Sequence, residues 1–367
     1  GSINAVTRSG SNEVNGSVYG FGRNATITGR NRAGDNSRMP SSFYEYQTGF
    51  RLGFPIIRNK LFFFTNQEIT RRQDPVILGA GSEDMPIINL DQARQISDYL
   101  ASRYNLDAGE YGDYNTFSRS NKFFNRLDWI INEKHNLSVR NNTILSQATN
   151  MERDQQNFRF SSIDFRQVNN QNSTVAELKS HFNSTMSNSL LVGYSNITDY
   201  RRPSADPAMP QIEISSGGGT IFLGTDREAS IFDLRQRTFE LTNNFTWIKD
   251  NHHFTFGTHN EFYNINYGFV NSWNGRVNYG SIEDFLNNRP NRVRTNFNYA
   301  DNTRDHIIAN PPAQFRVNLY SLYAQDEMQI GQRLRLSPGI RFDLAQMPDK
   351  PSLSFKTLES PVDPQYG

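Results

Sequence analysis

Polar and apolar residues alternate with a period of two along much of the chain. The separation is sharpest over residues 333–344 and 237–247, where one face of an extended chain would be apolar and the other polar. Residues 44–56 repeat the pattern. This period indicates β-strands with one apolar side and one wet side. Strands of about 11–13 residues are about twice as long as those of most soluble proteins, and they match the length that crosses a bilayer at a tilt.

Applied to the whole chain, the pattern predicts about eleven strands. Several of them alternate less cleanly. Residues 61–64 are apolar on both faces, as in a strand that packs on something inside the lumen. The strand at 252–267 changes phase near Tyr263, as a bulge or an extension beyond the membrane would cause. The predicted strands lie near residues 13–24, 44–56, 60–70, 121–132, 135–147, 173–185, 188–200, 236–248, 252–267, 315–330 and 333–346.

The connections between these strands are of two kinds. Five are short polar turns, such as Arg58-Asn59-Lys60 and Lys249-Asp250-Asn251, and five are long. Outer-membrane barrels have this asymmetry, with short turns at the periplasmic end and long loops at the extracellular end. We therefore predict an all-β fold, a transmembrane antiparallel β-barrel, with long extracellular loops at residues 25–44, 71–120, 150–171, 202–235 and 269–313.

Two helices are predicted inside these loops. Asp91 is placed to cap a helix over residues 92–104, where the apolar residues share one face. Ser281 and the acidic residues after it resemble a capping box that opens a short helix, and Pro290 would close it. Both helices would pack on the mouth of the barrel.

Composition is compatible with this fold. Mean hydropathy is −0.68 and no run approaches the ~20 apolar residues of a membrane-spanning helix, but a barrel strand turns only alternate residues to lipid. The 27 Phe and 16 Tyr residues suit interfacial girdles, although the core of a soluble β-protein would use them too. A net charge of +1 gives no general electrostatic case for a nucleic-acid partner. The absence of cysteine excludes disulfides and thiolate zinc sites.

The odd strand count predicts that part of the barrel lies outside this chain. An open sheet cannot stand in lipid, because every backbone group there must be paired, and single-chain bacterial barrels have even strand numbers. The first residues also lack the basic and apolar segments of a signal peptide. We therefore expect the chain to be a piece of a longer gene product.

Several segments resemble a known family. The opening Gly1-Ser2-Ile3-Asn4-Ala5-Val6-Thr7-Arg8-Ser9-Gly10 to Glu13, followed by Asn15 to Phe21, resembles the junction between plug and first barrel strand in TonB-dependent outer-membrane receptors. It is most similar to the Oar-like (OmpA-related) branch, whose plug follows a carboxypeptidase-regulatory-like domain. Three later segments are similar as well: Asn59–Phe64 with Glu68, Ser281–Pro290, and Leu334–Asp343.

This resemblance implies a fold and a function. Such receptors have 22 strands around a plug, so residues 1–12 would end the plug domain and residues 13–367 would form the N-terminal half of the barrel. The implied function is import of an extracellular ligand (a siderophore, peptide or glycan) across the bacterial outer membrane. The TonB–ExbB–ExbD system would pull on the plug, which lies mostly upstream of Gly1. Outer-membrane lipid, lipopolysaccharide and accessory outer-membrane proteins would be further partners, and no cofactor is implied.

Two arginine pairs are the candidate ligand-binding residues. Arg71-Arg72 and Arg201-Arg202 lie where predicted strands emerge into loops, and they could contact an anionic chelate or a peptide carboxylate. The alternative is that they bind lipopolysaccharide phosphates or are simply solvated. Other arginines are expected to face the lumen and pair with carboxylates, namely Arg51, Arg126, Arg140, Arg316 and Arg341.

Catalytic chemistry is not indicated. His252 and His253 would point to opposite faces of a strand, and His259 lies roughly 20 Å further along it, so no metal site is predicted. Ser216-Gly217-Gly218-Gly219-Thr220 lacks the Lys of a phosphate loop and is predicted to be a hairpin tip or a ligand-facing loop. No nucleophile and base are paired in the sequence, and we expect no enzyme.

Two other readings remain open at this point. A receptor-like barrel could be a structural or accessory subunit of an outer-membrane secretion or assembly complex. A soluble multi-stranded β-domain, such as an adhesin or a carbohydrate-binding module, would also use alternating strands, but it would be extracted from cells without detergent.

Overall fold

The computed structural model describes residues 7–28, 43–298, 301–331 and 333–350. The helices of these residues are Leu90–Tyr104 (α1), Ile282–Leu286 (α2) and Arg304–Ala309 (α3), and a single 3-10 turn covers Ser161–Ile163. The strands, in chain order, are Asn15–Asn24 (β1), Tyr44–Ile57 (β2), Leu61–Val76 (β3), Tyr114–Ile130 (β4), His135–Thr149 (β5), Asn157–Arg159 (β6), Phe165–His181 (β7), Met186–Pro203 (β8), Gln211–Ser216 (β9), Gly219–Leu223 (β10), Ile231–Lys249 (β11), His252–Val270 (β12), Arg276–Tyr279 (β13), Arg292–Arg294 (β14), Ala313–Ile330 (β15), Leu334–Leu336 (β16) and Gly339–Gln346 (β17).

The long strands form one antiparallel sheet in which each strand pairs with the next along the chain. Its order is β1-β2-β3-β4-β5-β7-β8-β11-β12-β15, after which β16 and β17 both pair with β15. All eleven predicted strands are present, and the last is split in two around Pro338, which has no N–H to donate to the ladder. The all-β antiparallel fold predicted from the sequence is confirmed.

The barrel strands extend further into the loops than predicted. β3 and β4 stay paired as far as Val76 and Tyr114, so residues 71–76 and 114–120 are strand and the loop between them is shorter than 71–120. The other three described loops shorten in the same way. Above the membrane both faces of a strand meet water, and the apolar alternation that signals a strand is lost there. The loop predicted over residues 25–44 lies mostly outside the described residues.

The sheet has two chemically different faces. One face carries ion pairs, such as Lys122 Nζ to Glu68 Oε1 at 2.8 Å and Arg126 to Asp128 at 2.8 Å. The other carries a cross-strand apolar row, which the pairing register runs through Phe54, Phe63, Leu127, Val139, Ala176, Val192 and Leu241. We name the charged side the inner face and the apolar side the outer face, as in a membrane barrel.

The long loops fold together into a second layer with its own core, which the sequence did not predict. Its five-stranded sheet has the order β14-β13-β9-β10-β6, and α1 and α2 pack on it. We call residues 77–113, 150–164, 204–230 and 271–298 the loop layer. Its core side chains are almost completely buried: Ile87, Ile88, Ala93, Ile96, Leu100, Phe158, Phe160, Ile214, Ile221, Leu223 and Phe285.

The two predicted loop helices are present with different ends. Asn89, not Asp91, caps α1: its side chain accepts from the backbone N–H of Gln92, and the Gln92 side chain accepts from the Asn89 N–H. Ser281 caps α2 as predicted, with the N–H of Asp284 donating to its Oγ over 3.0 Å. α2 ends at Leu286, before Pro290 is reached. Among the described residues, no helix is both long and apolar enough to cross a membrane.

Candidate functional site: inner wall and mouth

The segment before β1 lies against the inner face of the wall. Arg126 Nη1 donates to the backbone oxygen of Thr7 over 2.8 Å and to its Oγ1 over 2.7 Å. Gly10 lies so close to β3 that an added Cβ would be 2.5 Å from the carbonyl oxygen of Phe63. Residues 7–14 are therefore held inside the wall near its periplasmic end, where the resemblance places the end of a plug.

Polar side chains of both charges line the inner wall. Glu68 accepts hydrogen bonds from Lys122 at 2.8 Å, Gln47 at 2.6 Å and Tyr19 at 3.1 Å. Further along the sheet, His259 lies 3.7 Å from both Glu240 and Glu261. Within residues 7–28, 43–298, 301–331 and 333–350, no group of His, Asp and Glu side chains has the arrangement of a metal site.

The arginines expected in the lumen behave differently from one another. Arg126 and Arg341 pair with Asp128 and Asp343, each two residues along its own strand, and Arg51 donates to Ser17 Oγ at 2.8 Å. Arg140 lies opposite Arg126 in the register. The prediction was wrong for Arg316, which shares the outer face with Tyr320 and Leu322 and pairs with Asp349 at 2.9 Å.

Arg71 and Arg72 lie within β3 and point to opposite faces. Arg71 is on the outer face, where it donates to the carbonyl oxygen of Ser120 over 3.0 Å and to Asn121 Oδ1 over 2.8 Å. Arg72 is on the inner side and pairs with Asp74 at 2.5 Å. Neither residue is in a loop, contrary to the predicted strand end.

Arg201 and Arg202 likewise lie within β8 and diverge. Arg201, on the inner side, stands between the rings of Phe165 and Phe232, with its Cζ 4.8 and 4.4 Å from their centroids. It also donates to Gln167 Oε1 over 2.9 Å. Arg202 is exposed on the outer side and lies over Tyr200. The structure therefore does not bring the four candidate arginines together.

A cleft at the mouth contains an arginine that the sequence did not single out. The cleft has a volume of about 540 Å³ and lies where the upper ends of β3, β4 and β5 meet residues 150–153. Arg72, Asp74, Ser118, Glu152 and Arg153 are among its lining residues.

Arg153 is buried beside this cleft without a bonded carboxylate among the described residues. Its guanidinium donates instead to three backbone oxygens, those of Gly112 at 2.6 Å, Arg159 at 2.8 Å and Glu110 at 3.3 Å. Burial lowers the pKa of Arg153 to about 10, so the side chain remains a cation at neutral pH. A single arginine in a polar loop gives no periodic signal, and only the folded loop layer shows its position.

A second cleft lies on the loop layer. It has a volume of about 720 Å³ and is lined by the Gly217-Gly218 tip between β9 and β10 together with Gln92, Ser281 and Glu283. The prediction of a hairpin tip is confirmed: β9 and β10 pair antiparallel, and both tip glycines have positive φ, 54° and 83°, as this turn requires. The lining is mainly hydroxyl, amide and backbone groups.

Two known proteins match this chain in comparisons of sequence and of structure. The TonB-dependent transporter Oar of Myxococcus xanthus is 33% identical over 147 residues, which are 38% of this chain and 13% of that protein. The chain thus spans only a small part of that relative. A solved structure of the CymD monoaromatic hydrocarbon channel aligns over 83% of this chain and 72% of that one, with 10% identity and a TM-score of 0.23. A likeness this distant carries no argument.

The family match covers most of the chain. Residues 6–82 and 86–360 match the family described as outer membrane beta barrel domain. This agrees with the amphipathic antiparallel wall, its short turns at one end and its long loops at the other. The chain belongs to the outer membrane beta barrel domain family and is a protein of the bacterial outer membrane.

Proposed function

We propose that the chain is the barrel part of a TonB-dependent transporter that imports an extracellular ligand across the outer membrane, and that it is not an enzyme. The observation that carries this proposal is the docking of residues 7–14 on the inner wall through Arg126 and Gly10. A transporter with a plug needs its chain to enter the lumen immediately before the first strand. The similarity to a TonB-dependent transporter over part of the chain supports the same role.

The ligand would first bind at the mouth. Arg72 and Arg153 line one cleft there, and a ligand with an anionic group such as a carboxylate would be attracted to the two guanidinium groups. Arg201 would help to keep the shape of the mouth. It joins β7 and β8 to the loop layer by donating to the carbonyl oxygen of Glu228 over 3.3 Å. Arg71 and Arg202 face outward, a position suited to lipopolysaccharide phosphates or solvent.

Energy would come from the TonB–ExbB–ExbD system. TonB would pull on the plug, which the resemblance places before residue 13. The contacts of Thr7 and Gly10 with the wall would transmit or resist this force, since the bonds of Arg126 join the segment before β1 to the barrel wall.

A binding experiment tests this function. The purified periplasmic domain of TonB is added to the full-length gene product in detergent, and binding is measured by isothermal titration calorimetry. We expect binding that disappears when the part of the gene product before Gly1 is deleted. If the full-length product shows no binding, or if the deletion leaves binding unchanged, the TonB-dependent role is excluded.

A further inference from the structure

Part of the outer face is polar where lipid would require apolar side chains. Seven neutral polar residues cluster there on four neighbouring strands, β3, β4, β5 and β7. We call this cluster the outward amide patch; it consists of Thr65, Gln67, Asn125, Asn141, Thr143, Asn172 and Thr174.

The pairing register places the patch on the outer face. Thr65, Asn125, Asn141 and Thr174 follow one another across the four strands. The same row continues into Leu52 on one side and Tyr194 on the other. The adjacent row towards the periplasmic end is the apolar row from Phe54 to Leu241 described above. The patch therefore borders apolar residues towards the periplasmic end and at its β2 edge, while on β8 Asn196 lies opposite Asn172.

The patch lies at the depth of the hydrocarbon. Thr65 is the fifth residue after Lys60, and Thr174 is the eighth before Phe182, which begins the next periplasmic turn. At ~3.3 Å per residue and a tilt of about 40°, these positions are about 13–20 Å from the periplasmic end. The apolar band of an outer-membrane barrel is about 25 Å tall, so the row from Thr65 to Thr174 lies within it. Asn172, the tenth residue before Phe182, lies near its upper edge at about 25 Å.

Hydrogen bonds within the patch satisfy only some of its groups. Thr65 Oγ1 donates to Asn125 Oδ1 over 2.9 Å, and Gln67 Nε2 donates to Thr65 Oγ1 over 2.6 Å. On the next strands, Asn172 Nδ2 donates to Thr143 Oγ1 over 2.6 Å and Asn141 Nδ2 donates to Thr174 Oγ1 over 2.9 Å. In the described part of the chain, the Nδ2 of Asn125 donates no such bond. Lipid chains offer it no acceptor, and a polar group left unpaired in hydrocarbon is costly.

We propose that the outward amide patch is covered by the same patch of a second copy of this chain. The patch bears no charge, so it does not call for a partner of opposite charge. Each Asn and Gln carries both a donor and an acceptor, so two identical patches related by a two-fold axis can satisfy each other. Such isologous contacts are the commonest form of homo-oligomer. The proposal does not depend on the transport role.

The same wall offers an apolar region for comparison. On β15 and β17 the outer face carries Leu322, Ile340, Phe342 and Leu344, and Leu322 is 63% exposed. This is an ordinary lipid-facing surface. Leu322 is the ninth residue before Gly331 and Asn172 the tenth before Phe182, so the two positions have nearly the same height.

Cysteine cross-linking in intact outer membranes tests the proposal. This chain has no cysteine, so Asn172→Cys and Leu322→Cys are introduced singly into the full-length gene product and treated with a short bis-maleimide. We expect a band at twice the protomer mass for Asn172→Cys, several-fold stronger than for Leu322→Cys. An equal yield from the two variants, or a product of Asn172→Cys with a different protein, would overturn it.

A second variant tests the chemistry of the contact. Asn125→Leu combined with Asn141→Leu makes the centre of the patch apolar, and resistance of the barrel to trypsin shows whether it has folded. We expect the detergent-purified variant to be monomeric by light scattering where the parent is dimeric. A parent that is itself monomeric, or a folded variant that stays dimeric, contradicts the proposal.

Discussion

Arg126 on β4 and Thr7 in the N-terminal segment are joined by two hydrogen bonds, of 2.8 Å to the backbone oxygen and 2.7 Å to Oγ1. The same guanidinium holds Asp128. One arginine therefore satisfies a carboxylate of the wall and fixes the segment that precedes the barrel. Because these groups are partly shielded from water, the bonds are stronger than those of a surface ion pair.

Replacing Arg126 should release the segment and leave the barrel intact. Arg126→Ala removes charge-assisted hydrogen bonds worth about 1.5–3 kcal/mol each. We expect faster hydrogen exchange in residues 7–14 and little change in β5. Arg140→Ala, opposite Arg126 in the register, is the control and should leave exchange in residues 7–14 unchanged. Equal effects of the two substitutions would show that the contact with Thr7 is unimportant.

Gly10→Ala should have a similar effect by a steric route. The new methyl group would be 2.5 Å from the Phe63 carbonyl oxygen and 3.1 Å from that of Phe54. Both oxygens belong to the backbone of paired strands, so moving them out of the way costs free energy. We expect a cost of about 1–3 kcal/mol to docking of the segment, seen as protease cleavage within residues 7–14. Gly112→Ala has nothing within 4 Å of the added Cβ and should be silent. Protection from cleavage in Gly10→Ala would contradict the close approach.

The sequence predicted the wall well because the bilayer imposes a simple rule. Within the membrane each strand must separate lipid-facing from lumen-facing residues, and the period of two is then visible. The loop layer obeys no such rule. β6, β9, β10, β13 and β14 are three to six residues long, and they form a sheet only because distant loops meet. No local pattern in the sequence predicts that Phe158 on β6 pairs with Ile221 on β10.

The structure of the strands also explains why the four candidate arginines do not form one site. Adjacent residues on a strand point to opposite faces, so Arg71-Arg72 and Arg201-Arg202 could not act as pairs once β3 and β8 extended through them. The predicted strand ends were wrong here, and the ligand-binding role of these arginines stays a prediction. Arg153 could not be found at all, because its role depends on three backbone oxygens that two separate segments supply.

Arg201 and Arg202 should differ sharply in their effect on stability. Arg201→Ala loses the contacts with Phe165 and Phe232 and the bond to Gln167, and we expect a cost of about 2 kcal/mol. Its neighbour Arg202 is exposed, so Arg202→Ala should cost less than about 0.5 kcal/mol. Hydrogen exchange in residues 226–230 measures the difference. Equal exchange in both variants would exclude a role for Arg201 in holding this loop.

Asn89 and Asp91, which lie close together at the start of α1, should differ in their effect on the stability of this helix. Asn89→Ala removes the side-chain oxygen that accepts from the Gln92 N–H and should destabilise the helix by about 1 kcal/mol. Asp91→Ala, at the residue that the sequence suggested, should cost only a few tenths of a kcal/mol, since Asp91 contributes first-turn charge and an exposed ion pair with Arg94 at 4.0 Å. Exchange rates of the α1 amides test this order, and the reverse order would restore Asp91 as the cap.

Asp164 should make the loop layer less stable as pH rises. The carboxylate is buried, and although it accepts from the N–H groups of Asn150 and Phe165 at 3.1 and 2.8 Å, burial raises its pKa above the usual 3.8. The folded state therefore holds its proton to higher pH than the unfolded state does. Its contribution to stability is greatest below pH 3.8 and declines as pH rises towards the raised folded pKa, because stability falls wherever the folded state binds more protons.

Asp164→Asn keeps an acceptor for both N–H groups and cannot ionise, so exchange protection of the loop layer should be higher at neutral pH and should decline less between pH 4 and pH 7. A variant whose protection falls as steeply as that of the parent would show that another group is responsible.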